Sequence, residues 1–186
     1  MTDDALRPAP DASYEAQARR PLLDDGETDL VARRRGRPAR GRPAAAVRCA
    51  FGLPAVLRVD PALEDGTPFP TTFWLACPLA AKHIGTLEAS GVMVALSGRV
   101  AEDPELADAY HRAHERFVAF RDGLGPEVPG DPSAGGMPAR VKCLHALYAH
   151  HLATGDNPIG AWVGERLEPM ACPGPCVAAD GSGWHG

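Results

Sequence analysis

The stretch TTFWLACPLAAKHIGTLEASG (71–91) decides how the rest of the chain is read. Thr71 to Cys77 is rich in aromatic and β-favouring residues and reads as a strand. Pro78 then suits the first position of a helix, where its missing N–H costs nothing. Leu79, Ile84 and Leu87 form that helix's apolar stripe, and Gly91 is its stop. A strand thus passes directly into a helix over 78–90. Upstream, Ala55 to Val59 is a second strand, ended by Asp60-Pro61. Downstream, Val92 to Val100 (VMVALSGRV) reads as a third strand over 92–100, with helix as the alternative.

The clearest helix follows. Asp103 is an N-cap and Pro104 sits at N1. Leu106, Ala109, Tyr110, Ala113, Phe117 and Phe120 recur at spacings of three and four, so a helix is expected over 104–122. A Pro/Gly-rich loop spans 124–136. Pro138 is expected to open a helix over 138–154, closed by Gly155, and a last helix is expected over 158–168. Strands first and helices later give an α+β class, a small sheet packed with helices.

Composition sets the outer limits. The chain has 186 residues and a net charge of −5. Residues 1–32 are net −5, residues 33–43 are net +6, and 44–186 are net −6. Residues 1–45 hold one tyrosine and no Phe, Trp, Ile or Met beyond the start, so they are expected to be a mostly disordered extension. One globular domain is expected over 46–169, and an irregular tail over 170–186. No apolar run approaches the ~20 residues of a membrane span, and MTDDALRPAP lacks the apolar core of a secretory signal. A cytoplasmic, reducing setting is therefore expected, with five cysteines serving as thiols or ligands.

Three of those cysteines, Cys49, Cys77 and Cys143, lie far apart in built-looking contexts. Three thiols near imidazoles suggest Zn or an iron–sulfur cluster, with His145 a fourth ligand. On a helix starting at Pro138, Cys143 and His150 share a face and His145 lies nearly opposite, with Val141, Leu144, Tyr148 and Leu152. A helix starting one turn later turns His145 toward Cys143. A thiol enzyme is the alternative, with Cys143 as nucleophile and His145 or His150 as base. Buried, unreactive cysteines are the plain reading. His111 and His114 read as solvated surface. Cys172 and Cys176, in CPGPC, read as flexible exposed thiols.

The basic block RRRGRPARGRP (33–43) contains RGRP twice. Arg35, Arg37, Arg40 and Arg42 offer weak contact with an A·T-rich minor groove, which makes a non-enzymatic adaptor the third reading. No P-loop, dinucleotide fingerprint, HExxH or GxSxG is present. No reaction or substrate follows from these residues.

Taken together, RCxxGxP (48–54), PTTFWLxCP (70–78), VKCLHA (141–146) and DNPIG (156–160) resemble an uncharacterised bacterial family, domain of unknown function family five hundred and one. The resemblance covers roughly residues 47–168. It implies Cys49, Gly52, Pro54, Trp74, Cys77, Cys143, His145, Asn157 and Gly160 as matching positions. It brings no activity with it. It implies only a genomic association with cell-division and phosphatase genes.

Overall fold

The structure, a computed structural model, describes residues 6–130, 132–167, 172 and 174–177. Among these are seven helices and a three-stranded antiparallel sheet, an α+β arrangement. The helices are α1 (Tyr14–Ala18), α2 (Asp25–Arg35), α3 (Pro78–Ala89), α4 (Val92–Glu102), α5 (Pro104–Asp122), α6 (Leu144–Thr154) and α7 (Pro158–Leu167). The strands are β1 (Ala44–Arg48), β2 (Pro54–Arg58) and β3 (Phe73–Leu75), in that spatial order. Ala44 pairs with Arg58 and Leu57 with Trp74.

The hinge of the fold is α6. Leu144, Leu147, Tyr148, Ala149, His150, Leu152 and Ala153 are all buried, so it is apolar nearly all round. Such a helix belongs in the centre. It lies against β3 and α7, with α1 and α3 also in contact. The α6–α7 contact is close enough to need glycine. A Cβ on Gly160 would stand 2.3 Å from the Leu147 carbonyl oxygen. Asn157 starts α7 by accepting the Gly160 amide at 2.8 Å.

His150 fills the middle. Its ring stacks on Phe73 (5.8 Å between centroids, 6° between planes) and meets Phe117 edge-on at 5.2 Å. Because Asn157 Oδ1 accepts from Gly160, its amide nitrogen must donate to His150 Nδ1, at 3.2 Å. The proton then sits on Nε2 and goes to Tyr14 Oη at 2.6 Å, while Tyr14 donates to Asp156 at 3.2 Å. Every polar atom of the ring is satisfied, and the imidazole is neutral. Burial drives its pKa down to about 3.

Four expectations need correction. Residues 92–100 are helix, not strand. Only Leu96 and Val100, four apart, are buried in α4, and Val94 is 80% exposed, where a strand would have buried alternate valines. The helix expected over 138–154 begins at Leu144. Residues 138–143 instead follow the tight turn at Gly135 and Gly136, whose φ angles are +67° and +94°. The strand over 71–77 shortens to Phe73–Leu75, because Cys77 is already the N-cap of α3. Finally, the extension 1–45 carries α1, α2 and part of β1. It is fastened by Tyr14, by Gln17 donating to the Ala46 and Ala153 carbonyls, and by the Leu6 carbonyl accepting from Tyr148. These few buried side chains do what a count of apolar residues missed. Glu168, the last residue of the final expected helix, lies outside the described residues, as does most of the tail 170–186. The described residues 172 and 174–177 form bends without helix or strand.

Candidate thiol site

Starting α6 at Leu144 makes Cys143 its N-cap. The turn before it is pinned by the Gly135 carbonyl, which accepts from Lys142 N at 2.7 Å and Cys143 N at 3.2 Å. A Cβ on Gly136 would come within 2.7 Å of the Arg140 carbonyl oxygen, so this hairpin of backbone admits no side chain there. Two glycines therefore set where the sulfur sits.

His145 follows two residues later and turns toward Cys143, as a later helix start requires. Glu88, from the last turn of α3, completes the group. The ligand-type atoms of Glu88, Cys143 and His145 all lie within 4.8 Å of one another. Glu88 Oε1 accepts the Leu144 amide at 2.7 Å and faces His145 Nδ1 at 3.2 Å. The other ring nitrogen, Nε2, faces the Ala81 carbonyl oxygen at 3.1 Å. A carbonyl oxygen only accepts, so Nε2 must carry a proton. A carboxylate on the far side asks the same of Nδ1. The ring is thus held as imidazolium. Its pKa is pushed up to about 9, mainly by the bond to Cys143, with the Glu88 charge and the Ala81 carbonyl adding to it against the cost of burial.

This group opens into a cavity of about 760 Å³. Arg34, Arg35, Arg37, Arg140 and Lys142 line it, and none of its lining residues is acidic. In a chain of net charge −5 this is a local inversion of sign. Arg35 packs over the Trp74 ring, 5.6 Å from its centroid. The arginine block is therefore not an extended arm. Arg33 to Arg35 end α2, and Gly36 caps it with φ +67°. Nothing in this arrangement supports DNA contact through Arg35, Arg37, Arg40 and Arg42.

The expected ligands are divided between two places. Cys143 and His145 meet at Glu88. Cys49 lines a second, small cavity together with Cys172 and Cys176, and Cys77 lines both that cavity and the large one. His150, a candidate base, is buried in the aromatic core and bonds Tyr14 and Asn157. There its ring is enclosed and does not reach the Cys143 group. His111, as expected, is at the surface, 3.5 Å from Glu115. Glu88 went unnoticed in the sequence, and so did the cationic wall.

The family described as Protein of unknown function (DUF501) matches residues 45–165. The chain belongs to this family. Its matched region runs from the second residue of β1 into the last turn of α7 and includes Glu88, Cys143 and His145, but not α1, α2 or the CPGPC segment. No curated protein and no solved structure matches the chain. Among the described residues, no helix is long and apolar enough to cross a membrane.

Proposed function

We propose that this DUF501 protein is a thiol catalyst acting on an anionic substrate, with Cys143 as nucleophile, His145 as its charged partner and Glu88 as the group that orients the ring. One observation carries the reading: His145 faces an acceptor on each nitrogen with a cysteine sulfur beside it. A cysteine sulfur beside a charged imidazole that is itself oriented by a third group is the arrangement of a thiol nucleophile and its proton donor. The sulfur pair then bonds to an electrophilic carbon or phosphorus, and His145 gives its proton to the leaving group. The neutral imidazole next takes a proton from the water that releases the product. Arg140 and Lys142, on the same wall, supply the charge that recruits the substrate.

The test is alkylation of the full chain by iodoacetamide, followed by peptide mass analysis. Cys143 should be the fastest-reacting cysteine at pH 7. His145→Ala should slow it about tenfold or more, roughly the 1.4 kcal/mol that a decade represents. Pyrophosphate should protect it in the native chain and not in the Arg140→Glu/Lys142→Glu variant. A Cys143 rate unchanged by His145→Ala would remove the ion pair from consideration.

A second reading is favoured by the 4.8 Å grouping of sulfur, nitrogen and carboxylate oxygen. These donors suit a zinc ion with an open position. Binding there requires His145 to give up a proton and one of its two bonds. Zinc that protects Cys143 stoichiometrically, and is lost in His145→Ala, would favour this reading over the first.

A further inference from the structure

We propose that Cys49, Cys77, Cys172 and Cys176 bind one zinc ion as a tetrathiolate site that fastens the C-terminal segment to the body of the fold. This site uses none of Glu88, Cys143 and His145, although Cys77 lines both cavities, and it holds whether or not the thiol reading is right.

The four residues come from three parts of the chain and meet at one small cavity. Its free space is about 20 Å³, room for a single water or ion and for no organic ligand. All four cysteines are free thiols. Cys49 opens the β1–β2 turn, where its carbonyl accepts from Gly52 N at 2.9 Å. Gly52 holds φ +74°. A cysteine three residues before a left-handed glycine is a tight turn with its side chain projecting. Cys77 is the buried N-cap residue of α3, and its side chain makes no cap hydrogen bond. Cys172 and Cys176, four apart in sequence, reach the cavity together with Gly174.

A metal bound among these four sulfurs would displace their protons, so its binding free energy would add to the stability of the fold. Four thiolates around Zn²⁺ leave an excess of two negative charges. Arg34, buried and lining the same cavity, stands where that excess would fall.

No three of these sulfurs lie mutually within 4.8 Å among the described residues. Binding must therefore bring the sulfurs of Cys172 and Cys176 closer to those of Cys49 and Cys77, to Zn–S distances near 2.3 Å. The experiment reads both metal and closure. Full-length protein, purified under reducing conditions, is assayed for metal by mass spectrometry, then stripped and titrated with Co²⁺. One zinc per chain is expected, with thiolate-to-cobalt charge-transfer and tetrahedral d–d bands. Zinc should also slow proteolysis between α7 and the C-terminus. The tail variant Cys172→Ser/Cys176→Ser, which leaves the core cysteines in place, should lose the zinc and the bands while Cys143 alkylates at its native rate. His145→Ala should keep the zinc. Zinc retained by the tail variant, zinc lost in His145→Ala, a brown iron chromophore, or a mass deficit showing a disulfide among these four would each overturn the assignment.

Discussion

Glu88 does two jobs with one oxygen. It accepts the first amide of α6 and faces the charged ring of His145. A negative side chain at a helix N-terminus is favourable in itself. Here it also decides which nitrogen of His145 points where. Cys143 and Glu88 together keep the ring charged, and Cys143 is the stronger influence. Removing either should lower the His145 pKa from about 9. Cys143→Ser should lower it more than Glu88→Gln, as ¹³C–¹H NMR titration of the ring would record. A ring that still titrates near 9 in both variants would assign the charge to the Ala81 carbonyl alone. Nothing in the sequence marks Glu88. It is one carboxylate among sixteen in residues 44–186, and only the tertiary meeting of α3 with α6 gives it a task. Cys143 and His145 were legible because their types and spacing allow few roles. Their partnership was legible only on the condition that α6 starts late.

At the scale of elements, caps were the dependable signals and valines were not. Asp103-Pro104 and Gly123 marked α5, which runs Pro104–Asp122. Pro78 and Gly91 marked α3 equally well. These residues act through backbone hydrogen bonds that no tertiary partner changes. The valines of 92–100 express a packing preference, which tertiary context overrides. β1 escaped notice because AAAVR has neither alternation nor β propensity. Its first four residues are all buried, as in a strand covered on both faces. Pro138 pointed to a helix start that the Gly135-Gly136 turn defers by six residues. The α6–α7 contact gives a direct test. Gly160→Ala should cost about 2 kcal/mol or more, since overpacking of about 1–3 kcal/mol is here directed at backbone. Gly85→Ala, in α3 with nothing within 4 Å of the added carbon, should be neutral or stabilising by up to about 1 kcal/mol. Urea denaturation of both would check the contrast. Equal effects would mean that the α6–α7 spacing relaxes freely.

For the whole molecule, two histidines bend the stability curve in opposite directions. The folded state raises His145 to about 9 from the ordinary 6.5. Its contribution is complete below 6.5 and is lost as pH rises toward 9. The folded state lowers His150 to about 3. The unfolded chain then binds a proton that the folded chain refuses, so stability falls as pH drops from 6.5 toward 3. Together they place a maximum near pH 6.5. Unfolding free energies measured across this range should show both limbs. In His145→Gln the alkaline limb should flatten while the acid limb persists. An unchanged alkaline limb would show that His145 is not held charged in the fold.

Leu6, Tyr14 and Gln17 are bound to α6. Tyr148 reaches the Leu6 carbonyl across 142 positions, and Tyr14 and Gln17 reach His150 and Ala153 across 136. The His150 ring is walled partly by Tyr14 of α1, so the aromatic core has no complete form without that helix. These contacts join residues far apart in sequence, and closure over such a span is slow by nature. Helix α1 thereby acts as a strap across the core rather than as part of a loose extension.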